Sequence, residues 1–339
     1  MRALSRPSFL SPVLKGAVAF SLLSSGPALA AADPGLLPTE TEVVKEAKPQ
    51  GWDPALVLGA SISLSSNTNF VGQPDGSSFT GGLNLFGRLD YLQDVVDWRN
   101  TLKLNEVFTR TPVVDEFVKT VDQLFFESVL YLRYSEVVGP FVSFKLETSI
   151  LEGRDVRPSP VDYSVDGTVV ETQVSSIKVT DPLQPLQLKE AVGAFFRPIQ
   201  GKDIEVDIRL GFGASQTFAD GARILADDAA TATIVELVSL KDVIQAGAVL
   251  GVEVKGELEE GRVNYQARAE VMMPFVNDDA SDRDVIELTN FDIGGKLGFK
   301  LFEWASLNYE LKIMRLPQLV DAWQIQNNLL LTFSYTLID

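Results

Sequence analysis

The chain has 339 residues, a formal net charge of −17, and neither histidine nor cysteine. Without those two residue types there is no disulfide framework, no thiolate or imidazole metal site, and no His-dependent nucleophile. The acidic balance opposes contact with nucleic acid phosphates, so no nucleic acid partner, catalytic residue, metal site or cofactor is expected, and the chain does not read as an enzyme.

The opening residues are built for export. Arg2, Arg6 and Lys15 precede the apolar run 16–23, and Ala28-Leu29-Ala30 supplies the small residues of a cleavage site. Residues 1–30 are expected to be removed as a signal peptide, and the three cations go with them. Residues 31–51, with three prolines and mixed charge, read as a flexible periplasmic lead-in. Beyond the leader no apolar stretch approaches the roughly 20 residues of a membrane-spanning helix.

From Trp52 onward the sequence alternates with period two, the spacing that sends successive side chains to opposite faces of a strand. Twelve runs are predicted: 55–66, 78–91, 97–110, 123–134, 141–151, 187–197, 203–214, 242–258, 262–273, 290–301, 305–314 and 323–338. The clearest is 203–214, where Ile204, Val206, Ile208, Leu210 and Phe212 share one face and Asp203, Glu205, Asp207 and Arg209 the other. In 187–197 the register is ambiguous, because Glu190 falls among the apolar set. Most runs match the roughly 9–11 residues that a tilted strand needs to cross hydrocarbon. There an open sheet edge would strand backbone donors and acceptors, so the strands must close on themselves.

Connection lengths give an orientation. The odd-numbered ones run 11, 12, 35, 27, 16 and 8 residues and the even-numbered 5, 6, 5, 3 and 3. Long outer loops alternating with short periplasmic turns define an up-and-down barrel. The expected fold is therefore all-β, a transmembrane antiparallel barrel of about twelve strands over residues 52–339, in the outer membrane of a Gram-negative-type envelope.

This register turns the apolar face to lipid and the polar face to the lumen. The lumen-facing candidates are Arg88, Lys103, Glu127, Arg133, Lys145, Glu147, Glu205, Asp207, Arg209, Glu253, Arg268, Glu270, Lys296 and Glu310, with Asp90, Arg99, Asp203, Lys255 and Lys312 in the same set. Both signs are well represented, which permits a lumen closed by ion pairs or a water-filled path. Tyr91, Trp98, Trp304, Trp323 and Tyr335, with Phe141, lie near strand ends and suit interfacial girdles. The acidic run 277–284 reads as a solvated loop; it lacks the glycine and terminal glutamate of an EF-hand. Carboxylate pairs such as Glu205 and Asp207 follow automatically from strand alternation.

Trp98-Arg99-Asn100-Thr101-Leu102-Lys103-Leu104-Asn105, followed by Lys119-Thr120-Val121-Asp122, resembles an uncharacterised bacterial family known only as a domain of unknown function. Its members look like outer-membrane barrels with a W-x-N-x-L-x-L strand and a K-T-x-D loop; the resemblance implies no substrate. The final strand, with Leu331, Phe333, Tyr335 and Leu337 alternating, is similar to the signal read by the barrel assembly machinery, although it ends on Leu337-Ile338-Asp339 rather than an aromatic residue. Expected partners are outer-membrane lipid and that machinery during biogenesis. Two functions fit: a passive channel for small solutes, or a non-transporting structural, adhesive or ligand-binding barrel acting through its long outer loops.

Overall fold

The structure, a computed structural model, describes residues 50–67, 76–226, 234–278 and 283–338. The leader and nearly all of the lead-in lie outside these. Twelve strands form a closed antiparallel ring. In chain order they are β1 (Gly51–Asn67), β2 (Gly76–Gln93), β3 (Val96–Thr111), β4 (Val114–Leu132) and β5 (Val138–Thr148), then β8 (Leu186–Gln200) and β9 (Glu205–Phe218). The ring continues with β12 (Val243–Leu258), β13 (Val263–Asn277), β14 (Asn290–Phe302), β15 (Ala305–Leu316) and β16 (Val320–Ile338). Each of the twelve predicted runs overlaps one of these strands, with 123–134, 141–151, 203–214, 242–258 and 262–273 overrunning an end of theirs by one to three residues.

Closure is made by β1 and β16, whose ladder runs from Leu56 opposite Ile338 to Ser61 opposite Thr332. The last residues of β16 thus supply the seam, satisfying the backbone groups that an open edge would leave bare in lipid. Inside the wall, Gly193 and Gly211 face one another across β8 and β9. A Cβ on Gly193 would meet the Leu210 carbonyl oxygen at 2.1 Å, and one on Gly211 the Val192 oxygen at 2.2 Å, so the two strands lie this close only because neither residue has a side chain.

Alternation sorts the side chains as the period predicts. Leu210 and Phe212 on β9 are 61% and 64% exposed, while Asp207 on the other face is buried. Leu83, Ile244, Phe275, Ile325 and Leu329 are likewise exposed. A soluble protein does not leave a belt of large apolar residues bare around its circumference. In a bilayer the same belt is solvated by acyl chains.

Two expectations need correction. The outer connections are not uniformly long: β3 and β4 are joined by residues 112–113 and β15 and β16 by 317–319, because these strands carry their hairpins further out than the apolar runs indicated. Asp203 belongs to the turn before β9, where its carbonyl accepts from the Tyr265 hydroxyl at 2.6 Å.

The two longest connections are not loops. The first contains β6 (Gly153–Val165) and β7 (Thr168–Thr180), the second β10 (Arg223–Leu225) and β11 (Ile234–Ser239), and together they form a four-stranded sheet in the order β10-β11-β6-β7. The join between the two connections is parallel, Ile234 opposite Asp162 to Leu237 opposite Val165. Tyr163, Ile177, Val179, Val235 and Leu237 bury one another in a small core. The Tyr163 hydroxyl donates to Asp155 at 2.8 Å, and burial together with that bond pushes its phenol pKa up, so it remains a donor. Asp122 on β4 accepts the Ile150 and Leu151 amides at 2.6 and 2.8 Å, and Asp242 accepts those of Ala219 and Asp220, which roots both connections in the barrel.

Two outcomes are expected. Leu210→Arg should destabilise the barrel by about 2–4 kcal/mol in denaturant titrations in lipid vesicles, the cost of a cation on the lipid face near mid-membrane. Tyr163→Ala should remove about 3–5 kcal/mol of packing from the outer sheet. It should render residues 153–180 cleavable by added protease while the barrel stays folded.

Candidate functional site: the lumen and its outer vestibule

Several ion pairs join strands that are not neighbours in the ring, so their side chains must meet inside it. Arg197 on β8 reaches Asp97 on β3 at 3.1 Å, as well as Asp207 on the adjacent strand β9 at 2.7 Å. Arg99 on β3 approaches Glu205 on β9 at 3.7 Å, and Arg209 on β9 approaches Glu127 on β4 at 3.9 Å. Further along, Lys145 on β5 pairs with Glu270 on β13 at 2.9 Å, and Lys189 on β8 with both Glu270 and Asp292 at 3.3 Å. Lys312 on β15 reaches Glu147 on β5 at 3.3 Å. Those two strands are diametrically opposite in the ring, and one bridge therefore spans the whole lumen.

Other predicted residues complete the layers. Arg88 pairs with Asp53 and Asp90; Glu253 lies between Arg209 and Lys255; Arg268 pairs with Asp292; and Lys296 with Glu310 at 3.2 Å. The Lys103 ammonium lies 5.6 Å from the centre of the Phe125 ring. Arg133 stands apart, just past β4 at the periplasmic rim, where its guanidinium donates to the Asp94 carbonyl at 2.7 Å.

Part of the lumen is filled by an aromatic group. Tyr131, Phe141 and Phe195 are all buried, and the Arg197 guanidinium lies 4.0 Å from the Tyr131 ring centre and 4.7 Å from that of Phe195. At 3% exposure Arg197 combines two ion pairs with two ring contacts. Phe141 therefore belongs to the interior and not to a girdle, a correction that follows from its sharing a strand face with Ser143 and Lys145. The sequence reading also missed Arg197, Lys189, Asp97 and Asp292. The usable signal was parity: Lys189 and Arg197 lie an even number of residues apart, which fixes the register of β8 and turns Glu190, with Val192 and Phe196, to the outer face.

The other predicted girdle residues lie on the outer face. Trp52, which the sequence reading did not select, packs on Tyr91 at 4.8 Å and on Trp98 at 5.8 Å. Trp304 stacks on Phe302 and Phe333, Trp323 lies 5.6 Å from Phe291, and Tyr335 is exposed. All but the Trp323–Phe291 pair belong to the periplasmic half. In the acidic run, residues 279–282 lie outside the described residues; Asp278 accepts from Gln318, and Asp284 accepts the Ile286 and Glu287 amides.

At the outer mouth a cavity of about 180 Å³ lies between β4, β5, β8 and β9 on one side and β15 and β16 on the other. Gln123, Glu147 and Lys312 line its inner end, while Ile224, Leu240, Leu319 and Val320 come from the base of the outer sheet and the β15–β16 hairpin. Gln123 donates to Glu147 at 2.8 Å, extending the diametric bridge.

A sealed ring with an apolar exterior and a charged interior is an outer-membrane β-barrel. Residues 62–153 match a family described as a protein of unknown function (DUF3078), a segment that contains both sequence motifs named above. No curated protein matches the chain. Among solved structures it is similar to the β domain of the Bordetella autotransporter BrkA, at 11% identity over 85% of this chain and 99% of that one, with a TM-score of 0.34. The translocator domain of the autotransporter NalP from Neisseria meningitidis is 8% identical over 85% and 89%, with a TM-score of 0.34. An outer membrane channel from Pseudomonas putida F1 is 13% identical over 86% and 96%, with a TM-score of 0.36.

Arg197→Met should cost about 3 kcal/mol in vesicle unfolding titrations, because Asp97 and Asp207 stay buried with Arg99 and Arg209 left to offset their charge. Adding Asp97→Asn and Asp207→Asn should recover most of that loss.

Proposed function

We propose that this protein is a barrel whose lumen is held closed, and that it acts by binding at its outer face. The observation that carries this reading is the Lys312–Glu147 bridge across the full ring, backed toward the periplasm by the Lys145–Glu270 and Arg197 layers. An ion entering such a lumen must displace paired charges that satisfy one another, and those pairs cost several kcal/mol each to separate away from bulk water. The outer sheet supports the same reading. It has its own core and is rooted by Asp122 and Asp242, so it offers a preorganised surface instead of mobile loops.

A second reading, a passive channel for small solutes, draws on the presence of both charge signs along the interior. In that case the cross-lumen pairs part to admit a solute.

Planar-bilayer recording separates the two. Refolded protein, its folding verified by heat-modifiable gel mobility, should insert without steady conductance at high salt over a range of voltages. Regular ohmic steps from the unaltered chain would overturn the closed-barrel reading in favour of the channel.

A further inference from the structure

We infer that the outer vestibule binds a small monoanion with an apolar body of single-ring size, such as an aromatic carboxylate, and that Arg223 holds its charged end. The inference deepens the closed-barrel reading and rests on it, since the bridge that blocks the lumen is also the inner end of this cavity.

The charge of the guest follows from the residues that line the space. Five of them are charged: Lys119, Asp122, Glu147, Arg223 and Lys312. Four of these are matched, Lys119 with Asp122 and Lys312 with Glu147. Among the described residues Arg223 makes no ion pair, and its guanidinium donates to the Lys178 carbonyl at 3.4 Å. Asp166 senses that guanidinium from beyond ion-pair distance, and its own carboxylate accepts the Ser239 amide at 3.1 Å. A guanidinium carries five N–H donors in a planar fork that fits a carboxylate, so most of the capacity of Arg223 is unspent. One cation beside two balanced pairs calls for one negative charge. A dianion would set its second charge against Asp122 and Glu147, and an ammonium would be repelled by Arg223 itself.

The body of the guest follows from the rest of the wall. Ile224, Leu240, Met314, Leu316, Leu319 and Val320 line the same space. A cavity of about 150 Å³ with apolar walls accepts benzene, so about 180 Å³ admits one ring with a carboxylate.

The charged and apolar features adjoin. Arg223 and Ile224 are consecutive residues, and the Lys178 carbonyl that holds the guanidinium is two residues from Thr180, which also lines the cavity. One small guest therefore touches both. A ring lying on the apolar wall also displaces water beside the guanidinium, and a charge pair strengthens as its surroundings dry.

The test uses the refolded full barrel in phosphatidylcholine nanodiscs at neutral pH, with empty nanodiscs measuring partition into lipid. Fluorine NMR would follow 4-fluorobenzoate, its neutral isostere 4-fluorobenzamide, and fluoroacetate, an anion without a ring. Saturable binding is expected for 4-fluorobenzoate, about tenfold tighter than for 4-fluorobenzamide and about tenfold tighter than for fluoroacetate. Arg223→Gln should weaken 4-fluorobenzoate by roughly tenfold and leave 4-fluorobenzamide unchanged. The three probes are compared on the unaltered barrel, so the inference stays open to refutation should Arg223→Gln fail to fold. It is overturned if 4-fluorobenzoate shows no saturable binding beyond that of empty nanodiscs, or if 4-fluorobenzamide or fluoroacetate binds as tightly. Unchanged affinity for 4-fluorobenzoate in Arg223→Gln would overturn it too. Conductance is measured separately, so a silent barrel that binds none of the probes refutes this site alone, and a conducting barrel that binds 4-fluorobenzoate through Arg223 refutes only the closed lumen.

Discussion

Within hydrocarbon, a backbone amide or carbonyl has no water to fall back on, and the ring exists because every strand must find a partner on both sides. The seam between β1 and β16 carries that requirement at its most exposed point. It joins the first and last strands of the ring, from opposite ends of the described chain, through a ladder from Leu56–Ile338 to Ser61–Thr332. Once it closes, strand alternation has no freedom left: Leu210 and Phe212 meet lipid, while Asp207 and Arg209 meet one another inside.

The interior is charged because half of each strand must face it, and acids and bases there are largely paired. Acids and bases meet across the lumen at several levels, with Tyr131, Phe141 and Phe195 filling the space near Arg197. Pairs of this kind contribute less to net stability than their number implies, since desolvation offsets most of the attraction. Their consequence is geometric. Removing one member leaves its partner stranded, so each layer defends the relative position of strands that share no backbone hydrogen bonds.

Outside the membrane the same chain builds a second unit. The β6–β7 and β10–β11 hairpins each lack a core of their own and acquire one only by joining through the parallel β11–β6 contact. Their base, with Ala219, Ala222 and Leu240 against Leu319 and Val320, roofs the vestibule whose inner end is the Lys312–Glu147 bridge. Lumen and outer sheet thus meet at a single small space.

Period two survives in sequence because it is local. From it the twelve ring strands are legible, and so is the sorting within β9 of Val206, Ile208 and Leu210 to the outer face and Glu205, Asp207 and Arg209 to the inner one. Register was harder where the alternation breaks: Glu190 obscured β8, and with it Lys189 and Arg197. Which acid meets which base lay beyond the sequence, since Lys312 and Glu147 are 165 residues apart and are brought together only by the curvature of the closed ring. The outer sheet was hidden for a related reason. Its strands alternate weakly because they are largely exposed, and the pairing that stabilises them lies between two separate connections. Local spacing determined which way each barrel side chain points; only closure of the ring and the meeting of the two outer hairpins decided what it touches.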